Sequence, residues 1–324
     1  MILTSGWNDL VKNAKVAWRE GFDFVPSAAL KMYDVMDVSV QTSEHSSIDG
    51  PGFAKRKLES QRYTIGSPKQ GYSITLSQTR IGLKDSVSWE MRKFDKYRQI
   101  MKKMRGLGES TKQRMELDAT HQFTFGMAGT TYTNMDGETV SCATGDGLAI
   151  FSASHTITGS STTFSNLDTQ AFDRDALESM ELLFTKMVNN NDMKVVSKPD
   201  TIVTTDDPTL NNAVKEFLGS QDRPDSADRA KNVYSGKYKH LVLPYLATTN
   251  LGAYDATKKN YWMLANLGHT DAIMEISEYP TFKAAEPGSN GEDFDTDDWH
   301  FKSSATYDLG VLDVKFITGS TGAA

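Results

Sequence analysis

Cysteine is almost absent from this 324-residue chain. Cys142 stands alone, so no intrachain disulfide can form, which fits folding in a reducing compartment. Long apolar runs are missing too: no stretch approaches the ~20 apolar residues of a membrane span. The N-terminal segment, interrupted by Lys12, Lys15 and Arg19, lacks the apolar centre of a secretion signal. His121, His155, His240, His269 and His300 are scattered, without a pair at ligand spacing beside a carboxylate or thiolate, so no metal site and no cofactor are expected. No P-loop and no G-x-G-x-x-G follows a strand, which removes the usual nucleotide-binding frames. Zinc-finger, basic-zipper and RNP signatures are lacking as well, and with them the familiar routes to sequence-specific reading of nucleic acid.

A hydrophobic content of 38% with 10% aromatics is enough for a sizeable core and argues against disorder. The length suits one elaborated domain or two interleaved ones. Charge is unevenly spread. Residues 1–130 hold 20 Lys+Arg against 14 Asp+Glu, a net +6, whereas residues 131–324 hold 15 against 28, a net −13. Such polarity suggests surfaces facing different surroundings, one of them nucleic acid, although two solvated faces would look the same.

Along the chain, Trp7, Leu10, Val11, Ala14, Ala17 and Trp18 recur at helical spacing and end at Gly21 and Pro26. This helix must dock on the body of the chain or on a neighbouring copy. Residues 43–84 turn polar and basic. Tyr63 and Ile65 on one side of "GSPKQG", and Tyr72, Ile74 and Leu76 on the other, read as a hairpin with one apolar face and no evident support. The strongest helical signal follows, with Met91, Phe94, Tyr97, Met101 and Met104, then Met115, Ala119 and Phe123 beyond Gly106 and Gly108. A glycine-kinked helix pair of about 50 Å is predicted, with Ser110 and Gln113 as a capping box for its second half. Its polar face is basic and includes Arg92, Lys96, Lys102, Lys103 and Arg105. Helices are also predicted over residues 173–188 and 208–218, the latter capped by Asp206 or Asp207. Late strands, among them the alternating Trp299, Phe301, Ser303, Ala305 and Tyr307, complete an α+β pattern.

Three stretches invite a chemical reading. In "DGLAIFSASHTITGSSTTFSN", Ser152, Ser154 and His155 suggest a nucleophile and a base, but adjacent residues at a strand end point apart and no G-x-S-x-G elbow surrounds them. A loop histidine is the simpler reading. "EDFDTDDWH" spaces Asp293, Asp295 and Asp297 like calcium-loop ligands, yet Asp298 and Ser304 stand where that loop needs glycine and glutamate. The third, "GTTYTNMDGETVSCATGDG", is rich in glycine but has no lysine to meet phosphate.

The order of elements resembles that of the tailed-bacteriophage major capsid proteins, the Hong Kong 97 type fold. An arm, a basic hairpin, a long helix, a Gly/Ser/Thr-rich excursion, a compact α+β part and late strands follow one another over roughly residues 7–318. "DGLAIFSASHTITGSSTTFSN", "NYWMLANLGHTDAIMEISEYP" and "FKSSATYDLGVLD" carry the local likeness. By this resemblance residues 1–44 are an N-terminal arm, 45–84 an extended E-loop hairpin, 85–171 a P-domain with the spine helix, 172–267 a compact A-domain, and 268–324 returning P-domain strands and the C-terminus.

The resemblance implies a structural, non-enzymatic virion protein that assembles in the host cytoplasm. Pentamers and hexamers of it would form an icosahedral head shell around double-stranded DNA held by non-specific contacts. Portal and decoration proteins would be partners, and no membrane. Because the mapped fold starts almost at Met1, scaffolding is either a separate protein or not needed. Trp7, Trp18, Tyr63, Ile65, Tyr72, Ile74 and Leu76 are the expected intersubunit contacts, and Arg92, Lys96, Lys102, Lys103 and Arg105 the expected interior basic face. Two other functions compete: a hydrolase with an atypical site at Ser154, His155 and His121, and a ring-forming tail or connector protein.

Overall fold

The computed structural model describes residues 4–50, 52–94, 96–222, 230–285 and 296–323. Its first sheet has the order β1-β13-β14-β4, built from β1 (Asp34–Asp37), β4 (Thr79–Val87), β13 (Ala272–Ala284) and β14 (Trp299–Val311). β13 and β14 run antiparallel from Ala272↔Val311 to Ala284↔Phe301, β4 continues antiparallel on β14, and β1 lies parallel to β13. The alternation expected in β14 is present: Trp299, Phe301, Ser303, Ala305 and Tyr307 are all buried.

Helices α1 (Thr4–Phe24) and α3 (Tyr97–Gly126) cross on this sheet; the short α2 (Trp89–Lys93) precedes α3. The predicted kink is absent. α3 runs unbroken through Gly106 and Gly108, so Ser110 lies inside the helix and caps nothing. An internal glycine costs a helix only about 1 kcal/mol, and Gly108 returns it through packing. A Cβ there would lie 2.0 Å from Trp18 O, and one on Gly21 would lie 2.1 Å from Arg105 O. The two backbones therefore touch.

Trp7 and Trp18 require a correction. Instead of waiting for a neighbouring copy, they are 9% and 7% exposed in the subunit's own core. Trp7 meets the edge of Trp299 at 4.4 Å and stacks on Phe301, while Trp18 Nε1 donates to Ser303 Oγ at 3.0 Å. Thr111 Oγ1 donates to the same Ser303 oxygen, so one small polar residue in the sheet receives both helices.

The second sheet has the order β11-β10-β12-β15-β9, from β9 (Leu167–Asp168), β10 (Thr201–Thr204), β11 (Lys239–Val242), β12 (Trp262–Ala265) and β15 (Ile317–Ser320). Every residue of β10, β12 and β15 is buried. α4 (Arg174–Lys186) packs beside β15 and α5 (Pro208–Gly219) beside β11. Asp173 caps α4 by accepting from Ala176 N, and Asp207 caps α5 by accepting from Thr209 N and Leu210 N. Residues 268–324 divide between the sheets: β13 and β14 lie in the first, whereas β15 inserts between β12 and β9 of the second. The chain end thus joins the two sheets.

The hairpin also differs from expectation. β3 (Lys69–Ser77) pairs with β2 (Thr42–Asp49), not with the segment holding Tyr63 and Ile65, which is an exposed connection between them. β2 hides its alternation because the half-buried side is Ser43, His45, Ser47 and Asp49, a polar set. Two small ribbons, β5 (Thr131–Thr133) with β6 (Thr139–Ser141) and β7 (His155–Thr156) with β8 (Thr163–Phe164), complete the strands.

Candidate functional site

Ser152, Ser154 and His155 do not meet as nucleophile and base. His155 is 1% exposed, with Nδ1 2.8 Å from Asp146 Oδ2 and Nε2 3.1 Å from Asn166 Oδ1. The Asn166 amide donates to Ile150 O at 2.8 Å, which fixes its oxygen toward His155 and toward Ser152 N. Ser154 is exposed, and its backbone N–H donates to Ser152 Oγ. Burial works to raise the Asp146 carboxyl, but hydrogen bonds from His155 and Thr144 outweigh it and hold the group at about 2. The passage is a staple that joins its own two ends, and through Asn166 it reaches Gly319 N in β15.

His121 lies apart, inside α3. Its Nε2 is 3.0 Å from Thr248 Oγ1, and that hydroxyl donates to Tyr245 O, so Nε2 carries the hydrogen. Burial, reinforced by Lys258 and Arg114, lowers its pKa to about 4. As pH falls below about 6.5 the unfolded chain takes up a proton that the folded chain refuses until about 4, so stability drops across that window. At pH 5 the loss relative to pH 7 comes to about 2 kcal/mol. Urea unfolding at both pH values should show this difference in the wild type and a much smaller one in His121→Asn; equal differences would refute the burial argument.

Among the described residues no group of three or more His, Cys, Asp and Glu is placed to hold a metal. Asp293 and Asp295 of the calcium-like spacing lie outside the described residues. No helix among them is long and apolar enough to cross a membrane.

The β2–β3 ribbon is bound to the body by carboxylates. Glu275, 1% exposed in β13, receives Ser43 Oγ, His45 Nε2 and Gln78 Nε2 at 2.5, 2.6 and 2.9 Å. Asp308 receives Ser77 N at 2.7 Å. Asp49 receives Asn190 N at 2.5 Å and faces Lys315 at 3.7 Å. Where the ribbon crosses β14 the body presents glycine: a Cβ on Gly310 would be 2.7 Å from Leu76, and one on Gly145 2.7 Å from Tyr72.

The expected contact residues therefore separate into two groups. Leu76 is buried in its own subunit, and Tyr72 and Ile74 are half-buried there, because the ribbon's inner face already has a partner in β14. Tyr63 and Ile65 stay 79% and 92% exposed. The basic face divides likewise. Arg92 bonds Asp297 O and covers the Trp299 ring, Lys103 pairs with Asp85 at 2.8 Å, and Arg105 pairs with Glu20. Lys96 and Lys102 are exposed.

Sequence reasoning missed a groove of about 710 Å³ between β4, α3, the β5–β6 ribbon and the Tyr245–Gly252 turn. Its acids Asp118, Asp136, Glu138 and Asp308 come from distant segments. Arg114 in its wall bonds both Asp118 and Asp136. A cavity assembled from non-local pieces leaves no local signal in the sequence.

Among solved structures, this chain is similar to a virus-like particle protein from Pyrococcus furiosus, with 11% identity, a TM-score of 0.51, and coverage of 95% of this chain and 98% of that one. A chain of Gordonia phage Cozz gives 11% identity and a TM-score of 0.51, covering 91% and 85%. One from the procapsid of bacteriophage JBD30 gives 12% identity and 0.50, covering 98% and 76%. At such identities the likeness establishes the fold alone, an α+β fold of the Hong Kong 97 type. None of the curated proteins matches the sequence. The family described as phage capsid protein matches residues 71–318, which takes in most of β3, all of β4 to β14, the start of β15 and all the helices except α1, and leaves out β1 and β2. The chain thus belongs to the phage capsid protein family, and it is a structural protein of the head shell.

Proposed function

We propose that copies of this chain join as pentamers and hexamers into an icosahedral shell around the double-stranded DNA of a tailed phage, assembled in the host cytoplasm and without catalysing a reaction. The observation that carries the reading is the connection between β2 and β3. Phe53, Leu58, Tyr63 and Ile65 there are 80%, 54%, 79% and 92% exposed within thirteen consecutive residues. Clustered apolar exposure of this kind marks an interaction surface. In this reading residues 1–44 act as the arm, 45–84 as the E-loop, 85–171 and 268–324 as the peripheral part and 172–267 as the axial part. Lys96 and Lys102 face the packaged DNA, and scaffolding, portal and decoration proteins are further partners.

The test is assembly of the purified chain, alone and with co-expressed head proteins, followed by sedimentation and negative-stain microscopy. Wild-type protein should give hollow particles or curved sheets, and in DNA-filled heads Lys96 and Lys102 should resist acylation until the DNA is released. Tyr63→Ser with Ile65→Ser should abolish assembly while leaving monomer stability within about 0.5 kcal/mol. Leu76→Ser should instead destabilise the monomer by roughly 2 kcal/mol, since its side chain is in the subunit's own interior. A wild-type chain that stays monomeric under all salt and crowding conditions would refute the shell.

A further inference from the structure

We propose that the corner between α2 and α3 is a stacking site for single-stranded nucleic acid, in which Trp89, Phe94 and Tyr97 take base faces while Lys93, Lys96, Arg98 and Lys102 take phosphates. The inference deepens the reading that Lys96 and Lys102 face nucleic acid, and it does not depend on assembly.

The corner is built with its apolar side inward. Met91 of α2 and Ile100, Met101 and Met104 of α3 pack into one cluster with Trp7, Trp18 and Trp299. A residue two positions from an inward one lies about 200° around the helix from it, and so points outward. On α2 these residues are Trp89 and Lys93, one turn apart on a single face, and the Lys93 ammonium lies 5.0 Å from the centre of the Trp89 ring. On α3 they are Arg98 and Lys102, either side of Ile100. Both faces look away from the same cluster. Phe94 and Lys96 join them at the turn between the helices.

Rings and cations are interleaved on this surface. Trp89, Phe94 and Tyr97 are 42%, 67% and 42% exposed, three large rings within nine consecutive residues. Residues 89–105 hold seven Lys+Arg against two acids. Arg92, Lys103 and Arg105 are engaged inside the subunit by Asp297 O, Asp85 and Glu20. Lys93, Lys96, Arg98 and Lys102 stand exposed. Cations alone would serve any polyanion; the rings narrow the choice. A duplex keeps its base faces stacked on one another, so it would cover the cations and leave the three rings in water. An acidic protein segment would also meet the cations, but its carboxylates are repelled by the negative faces of the rings. A single strand supplies both partners at once, base planes for the rings and phosphates for the cations.

Trp89 makes the test direct, because Trp7, Trp18, Trp262 and Trp299 are all 9% exposed or less and Trp89 is the one tryptophan open to a quencher. The purified full chain is titrated with a dT strand, an rU strand and a DNA duplex of equal length. Each titration is followed by tryptophan emission and by the anisotropy of a label on the nucleic acid. Both single strands should bind at least about tenfold tighter than the duplex, and only they should quench the emission. The dT and rU strands should agree within about threefold, since ring faces and phosphates do not read the 2′-hydroxyl; a preference of about tenfold or more for either sugar would overturn the stacking account. For the dT strand the plot of log K against log salt should have a slope of about −3, from four cations at roughly −0.7 each. Trp89→Phe should lose the quenching and keep the affinity, whereas Trp89→Ala should weaken the strands about tenfold and leave the duplex unchanged. If strand and duplex bind alike without quenching, or if polyglutamate binds as tightly as the strands, the inference fails and the shell reading stands. If no nucleic acid binds even at low salt, the assignment of Lys96 and Lys102 to DNA fails with it.

Discussion

Gly108→Ala is expected to cost the fold about 3 kcal/mol, while Gly106→Ala, two residues earlier in the same helix, is expected to stabilise it by up to about 1 kcal/mol. Both are internal positions of α3 and both exchanges favour the helix by propensity alone. Their surroundings decide the sign. Nothing lies within 4 Å of a Cβ on Gly106. On Gly108 the added carbon would sit 2.0 Å from Trp18 O and 2.9 Å from Phe22 N, both backbone atoms that no rotamer change can remove. The helices must then part by roughly 1 Å, which loosens contacts among Trp18, Met104 and Leu107 in the same cluster. Gly21→Ala acts on the same crossing from the other helix, so the double variant should cost much less than the sum of the two. Circular dichroism during urea unfolding reads all four proteins. Equal midpoints for Gly106→Ala and Gly108→Ala would mean that α1 and α3 do not meet at this crossing.

These glycines also mark where local reading of the sequence stopped. Spacing alone placed the apolar face of α1, the alternation of β14 and, to one of two neighbours, the acid that caps α5, because each is a pattern within a few consecutive residues. Gly106 and Gly108 looked like a break, since the role of Gly108 depends on a helix some ninety residues away in sequence. Trp7 looked unpartnered for the same reason: Trp299 and Phe301 lie at the other end of the chain. β2 escaped notice because its inward residues are polar and find their partners on Glu275, Lys315 and Asn190. The histidine passage fared differently. Its doubtful Ser–His geometry was legible from strand alternation, whereas Asp146 and Asn166 as the bonding partners of His155 emerge only once the loop closes. Tyr63 and Ile65 were singled out for an intersubunit role by a strand pattern with no support, and the lack of support within their own subunit is what the fold retains.

Removing Glu116 should destabilise the subunit as strongly as any single change considered for α3, by about 3–5 kcal/mol for Glu116→Ala. Glu116 is 2% exposed, and its Oε2 accepts from Ala28 N at 3.0 Å and Ala29 N at 2.8 Å, where the chain leaves α1 and turns toward β1. Lys112, one helical turn earlier and 5% exposed, approaches Oε1 at 3.5 Å and lies over the Phe22 ring. Burial raises the carboxyl above its ordinary range, although the two amides and the ammonium oppose that rise. Alanine would leave a buried cation without its counter-charge and two buried N–H groups without an acceptor, each a cost of its own. The two costs can be separated. Lys112→Met in the Glu116→Ala background removes the stranded charge but not the stranded amides, so it should recover part of the loss and no more. Glu116→Gln keeps an acceptor for the amides but forfeits the ion pair, and should fall between wild type and alanine. Denaturant unfolding of wild type and the three variants reads both costs. Full recovery in Glu116→Ala/Lys112→Met would show that the amides contribute nothing, and no recovery would show that the ammonium reaches water once its partner is gone.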